Sequence, residues 1–168
     1  MFPGLRVGRG VRLGANVYLN IVEGARADIG DNVYLDQGVV IVVEGRFSIG
    51  ANSYVGVGTV ITAAEKIEIG ADALIAEHVT IRDQDHGFAD LDMPYRLQGR
   101  ETAPITIGRN VWIGAKATLL RGISIGNGCI VGANAVVKSS LAEGSIAAGV
   151  PARVVRMLGA GGGPGQPA

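Results

Sequence analysis

The chain has 168 residues, a mass of 17.2 kDa, 15 Lys+Arg against 15 Asp+Glu and a pI near 6.7. That is one domain's length, sufficient to bury a core, without the basic footprint of a nucleic-acid or anionic-membrane binder. The single cysteine, Cys129, excludes an internal disulfide, no apolar run approaches the roughly 20 residues that span a bilayer, and the opening MFPGLRVGRG lacks an apolar signal core, so the cytoplasm is the expected location.

A repeat begins almost at once. Val7, Leu13 and Leu19 are six residues apart, and Leu5, Val11 and Val17 stand two positions before them. In an extended segment the first and third residues of each triplet share one face. The same spacing recurs at Ile29, Leu35 and Ile41, at Ile49, Val55 and Ile61, and at Ile69, Ile75 and Ile81. Every third connection is stretched by two to four residues, at Glu23-Gly24, Glu44-Gly45 and Glu65-Lys66, which reads as a bulged corner. Short strands and corners at a fixed period predict a three-sided β-solenoid whose coils stack.

The frame breaks after Ile81. Arg82-Asp83-Gln84-Asp85-His86-Gly87-Phe88 has no aliphatic where the next should fall, and the step from Ile69 to Ile107 is 38 residues, against 20 for each of the two preceding coils. The excess, residues 87–104, predicts a loop leaving the prism, and loops of that length in compact domains are functional or disordered. It holds Phe88, Met93, Tyr95 and Leu97, which are too apolar to be left in water and are expected to pack on a neighbour.

From Ile107 the spacing is again unbroken through Ile113, Leu119, Ile125, Val131 and Val137. Asn110, Lys116, Gly122, Gly128 and Asn134 follow three residues after the aliphatics and are mostly types that tolerate positive φ, as corners require. Beyond Val137 the pattern loosens, and Ala152–Arg156 is expected to cover the last coil, since an open solenoid end offers unpaired backbone. Residues 159–168 are Gly/Pro-rich and read as a disordered tail, which leaves 1–158 as the structured domain. Six to seven coils at ~4.8 Å each give a prism roughly 30 Å long.

The run Ile107–Val137 and the ending Gly149-Val150-Pro151-Ala152-Arg153 resemble the hexapeptide-repeat acyltransferases. The resemblance implies an all-β fold, the left-handed parallel β-helix, and a homotrimer whose active sites lie between subunits. It also implies acetyl-CoA as co-substrate, no metal, and transfer to a sugar or saccharide hydroxyl. Neither nucleic acid nor membrane insertion is among its implied partners.

His86 stands where the repeat breaks, so its ring is not committed to the core, and an imidazole can take a proton near neutral pH. Relatives place a histidine at the corresponding loop start to deprotonate the acceptor. Asp83, Asp85 and Glu101 are candidates to orient it, each with the alternative of a solvated loop charge. The same relatives carry an acceptor-holding Asn about one and a half coils earlier. Here the matching segment reads Tyr54-Val55-Gly56-Val57, so a different acceptor is expected, with Phe88, Tyr95 and Arg96 shaping its pocket.

Gly114-Ala115 and Gly132-Ala133 lie at corresponding corners of successive coils, where lack of bulk would admit a pantetheine arm, although turns alone also call for glycine. Trp112, the only Trp, takes an outward position that the family places beside the CoA groove; a subunit contact is the alternative. Lys138, Arg153 and Arg156 would lie near the CoA phosphates or be solvated surface charge. Cys129 reads as core filling and His78 as an exposed corner residue. A γ-type carbonic anhydrase would need three histidines for zinc, and the chain has His78 and His86 alone. An N-acetyltransferase on an amino sugar or antibiotic, or a non-catalytic β-helix scaffold, are the remaining readings.

Overall fold

The computed structural model describes residues 4–159, so the expectation for residues 160–168 of the tail lies outside the described residues. Three parallel sheets form the sides of a prism. The first contains Leu5–Val7, Arg26–Ile29, Arg46–Ile49, Lys66–Ile69, Ile105–Ile107 and Ser124–Ile125. The second runs through Arg12–Leu13, Tyr34–Leu35, Tyr54–Val55, Leu74–Ile75, Trp112–Ile113, Ile130–Val131 and Ser145–Gly149. The third holds Tyr18–Ile21, Val40–Val43, Val60–Ala63, Thr80–Arg82, Thr118–Leu119 and Val136–Val137. The chain visits the sheets in that order six times and returns once more to the second, giving about seven coils of the expected β-solenoid.

Register explains the stability of the stack. Ile29, Ile49, Ile69, Ile107 and Ile125 lie directly over one another, as do Ile41, Ile61, Ile81, Leu119 and Val137. All ten are at most 5% exposed. Fully burying one such side chain is worth about 1.5–3 kcal/mol. Cys129 is buried among them, as core filling requires.

The corners behave as the residue types predict. Asn110, Lys116, Gly122, Gly128 and Asn134 have φ of 53, 60, 76, 65 and 58°. Exposed His78 occupies another such corner at φ 56°. Along the edge between the first and second sheets, Asn32 donates to Asn52 and Asn52 to Asp72, each at 3.2 Å.

The two ends differ. Ala152–Met157 folds back antiparallel onto Ser145–Gly149 and covers the edge of the last coil, as expected. At the other end Val7 and Leu13 are 54 and 56% exposed although they occupy the inward positions of the repeat, because no described coil lies beneath the first. Val7 and Leu13 thus keep the inward register of the repeat but have no covering coil among the described residues.

The interruption is an excursion at the edge between the third and first sheets. Gln84–His86 pairs antiparallel with Arg100–Thr102, and a 3₁₀ turn at Tyr95–Leu97 lies between them. The Gln98 side chain organises the tip, donating at 2.7 Å to the carbonyls of Asp90 and Met93 and accepting from the Asp90 N–H at 3.0 Å. Phe88, Met93, Tyr95 and Leu97 are all exposed on the single chain. No helix among the described residues is long and apolar enough to cross a membrane.

Candidate active site

The hairpin that carries His86 is fastened to the prism on both of its faces. In antiparallel pairing, residues directly opposite share a face and successive residues alternate. His86 lies opposite Arg100 and Gln84 opposite Thr102, so these four form one face, while Asp85 and Glu101 form the other.

On the histidine face the Arg100 guanidinium makes a bidentate pair with Glu44, at 3.0 and 2.6 Å, and donates to the Gln84 side-chain oxygen at 2.7 Å. Glu44 is the corner residue after Val40–Val43, so this contact reaches toward the N-terminal coils. The Arg100 bond holds the Glu44 carboxyl below the usual carboxylate range, and Glu44 in turn raises the Arg100 pKa. On the opposite face Arg121 donates from Nε to Asp85 at 2.8 Å and from a terminal nitrogen to Glu101 at 2.5 Å. Arg121 belongs to the corner after Thr118–Leu119, on the C-terminal side of the hairpin.

The root of the hairpin is fixed by Asp83. Its carboxylate is fully buried and accepts the backbone N–H groups of Ala64, Glu65 and Lys66 at 2.7, 2.8 and 2.7 Å, closing the corner of the preceding coil. The imidazole itself is exposed. Among the described residues none of Asp83, Asp85 and Glu101 hydrogen-bonds to His86, and their oxygens are taken by backbone or by Arg121. These carboxylates thus act on the hairpin rather than directly on the ring.

The expected donor corners lie along a different edge, whereas Lys138, which follows Val136–Val137, stands on the hairpin's edge of the third sheet. Gly114-Ala115 and Gly132-Ala133 follow the second-sheet strands Trp112–Ile113 and Ile130–Val131 and stack on successive coils, joined by the bond from Asn134 N–H to the Ala115 carbonyl at 2.8 Å. A Cβ on Gly114 would approach Ala133 N to 2.6 Å, so close stacking alone demands glycine there. Ala133, Lys138, Arg153 and Arg156 are exposed, and Trp112 is 49% exposed on the second sheet. The His86 hairpin and the Gly114 corner border opposite edges of the third sheet, so one chain does not bring them together.

Sequence reasoning missed Arg100, Arg121 and Glu44. A signal for Arg121 existed: the corners of earlier coils carry Glu23, Glu44 and Glu65, whereas the two coils after the excursion place Arg121 and Lys138 there. A second missed cluster sits on the second sheet. There Tyr34 and Tyr54 donate to the two oxygens of Asp36 at 3.0 and 2.7 Å, with Arg12 4.7 Å over the Tyr34 ring. The Tyr54 bond is the main cause of the lowered Asp36 pKa, and the same bond pushes the Tyr54 phenol up to about 12.

Two stretches match models of the repeat: residues 104–139 match "Bacterial transferase hexapeptide (six repeats)" and residues 4–42 match "Hexapeptide repeat of succinyl-transferase". The two matches together take in less than half of the chain. Among curated proteins it is 39% identical over 90 residues to a putative lipopolysaccharide biosynthesis O-acetyltransferase of Escherichia coli, covering 49% of this chain and 46% of that protein. It is 43% identical over 83 residues to a probable acetyltransferase of Mycobacterium tuberculosis, covering 49% of this chain and 28% of that one. The chain thus spans less than half of either relative.

A solved structure, an N-acyltransferase from Bacillus cereus in complex with dTDP and 3-hydroxybutyryl-CoA, superposes with a TM-score of 0.79 at 26% identity, covering 90% of this chain and 81% of that one. Together with the parallel three-sheet stack, this likeness is consistent with the left-handed β-helix that the family resemblance implies.

Proposed function

We propose that this hexapeptide-repeat chain is an acetyl-CoA-dependent O-acetyltransferase acting on a sugar or saccharide hydroxyl. The observation that carries the reading is the single hairpin interrupting the repeat, itself held from both sides by Arg100 and Arg121, which presents an exposed His86. The likeness to O-acetyltransferases and to an acyl-CoA-bound N-acyltransferase supports it.

In this reading His86 removes the proton from the acceptor hydroxyl as that oxygen attacks the thioester carbonyl. A tetrahedral oxyanion forms, a backbone amide at the donor corner stabilises it, and its collapse expels the CoA thiolate, which takes the proton back from the imidazolium. Asp85 and Glu101 serve by holding the hairpin through Arg121. Trp112, Gly114, Ala115, Gly132 and Ala133 flank the pantetheine arm, and Lys138 and Arg153 meet the CoA phosphates. Because His86 and the donor corner border opposite edges of the third sheet, the donor comes from a neighbouring chain. A closed homotrimer supplies three equivalent sites of that kind. The cytoplasmic location and the 1–158 domain boundary belong to the same reading.

His86→Ala is expected to abolish release of free CoA in the presence of a saccharide acceptor while leaving assembly intact. Unchanged turnover would refute the assignment. The N-acyltransferase likeness favours a second reading, transfer to an amine, and a panel pairing each hydroxyl acceptor with its amino-sugar counterpart separates the two.

A further inference from the structure

The first sheet, which carries none of the residues placed at the base or the donor, has an ordered charge pattern of its own. Arg26, Arg46 and Lys66 open three successive strands and are direct cross-strand neighbours. Adjacent strands lie about 4.8 Å apart, and like charges directly opposite destabilise a sheet. The nearby carboxylates do not relieve the two arginines. Asp28 lies 3.9 Å from Arg6 and Glu68 is 3.0 Å from Lys66, whereas among the described residues neither Arg26 nor Arg46 has an ion-pair partner.

A surface cavity of about 150 Å³ opens at the same place, lined by Arg26, Asp28, Arg46, Ser48 and Glu68 among others. Ser48 is half-buried, and its hydroxyl sits on the strand carrying Arg46. Two guanidiniums without partners form a donor set for a tetrahedral oxyanion, because the planar guanidinium fork matches phosphate oxygens in pairs, while Asp28 and Glu68, the cross-strand neighbours of Ser48, bound the site two residues further along the strands.

We propose that Arg26 and Arg46 form an anion subsite for a phosphate or diphosphate group carried by the acceptor. The subsite adjoins the hairpin: Arg46 follows Glu44-Gly45, Glu44 holds Arg100, and Arg100 lies opposite His86. Its assignment to the acceptor rests on the reading of His86 as the base; the capacity to bind phosphate does not.

The test is calorimetric titration of the full chain with inorganic pyrophosphate at fixed ionic strength, using wild type, Arg26→Gln, Arg46→Gln and, as a charge-matched control at another corner, Arg109→Gln. Saturable binding is expected in wild type and Arg109→Gln, weakened about tenfold or more in Arg26→Gln and Arg46→Gln, the scale of one lost charge-assisted hydrogen bond. Equal weakening in all three variants, or no binding beyond that of chloride, overturns the subsite. Acetyl-CoA should leave the Arg46-dependent part of pyrophosphate binding unchanged, and loss of that part at saturating acetyl-CoA would overturn the acceptor assignment. Retained Arg46-dependent binding in a chain without transferase activity would sink the catalytic reading while leaving the subsite standing.

Discussion

Arg121 serves two carboxylates at once, which distinguishes it from an ordinary surface ion pair. An exposed pair is worth about 0–1 kcal/mol, and this guanidinium is 30% exposed, so its removal should cost little global stability. Its effect is on geometry: it fixes the strand residue next to His86 and the residue opposite it in register. A misplacement of about 1 Å at a reacting group can cost on the order of 10²-fold in rate. Arg121→Gln is therefore expected to lower kcat by about that factor with the KM for acetyl-CoA unchanged. Arg121→Lys should fall between, because an ammonium is a point charge and cannot span both acceptors. Steady-state kinetics on the three proteins check this, and an unaltered kcat in Arg121→Gln would remove Arg121 from the site. The sequence showed His86 because the hexad stops there. It suggested Asp85 as an orienter by adjacency alone, without the strand whose alternation turns the two side chains to opposite faces.

At the scale of the element, two neighbouring aspartates play different parts. Asp83 is buried and satisfies three backbone N–H groups of the preceding corner, whereas Asp85 is partly exposed and meets one arginine. Leaving buried donors without an acceptor costs about 1–3 kcal/mol each. Asp83→Ala should thus destabilise the fold by more than about 3 kcal/mol, and Asp85→Asn by less than about 1 kcal/mol. Chemical denaturation of both variants measures the difference, and equal midpoints would mean that Asp83 does not close that corner. The period of six revealed the sheets, the corners and the site of the excursion, because inward side chains and positive-φ positions repeat. It left the form of the excursion open, because Gln84–His86 and Arg100–Thr102 pair with each other rather than with the stack, and no period runs through them.

At the scale of the whole molecule, the placement of the two half-sites carries a requirement. The hairpin borders the edge between the third and first sheets, and the Gly114 and Gly132 corners border the edge between the second and third. The width of the third sheet separates them within one prism. On the proposed roles, a chain working alone would therefore present a base without a donor, and a donor without a base. In the proposed homotrimer one chain's hairpin would meet the next chain's corner, and the same packing would cover Phe88, Tyr95 and Leu97, which stand exposed on the single chain. Complementation tests this directly. His86→Ala lacks the base; Ala133→Trp keeps the base but fills the donor corner at an exposed position. Each variant alone should be inactive. Co-expressed, they should form mixed assemblies in which some interfaces pair an intact hairpin with an intact corner, recovering a fraction of wild-type CoA release. Each variant should also show a light-scattering mass of three chains. Inactivity of the mixed assemblies, with both variants present in the same particle, would place the base and donor within one chain and require a different path across the third sheet.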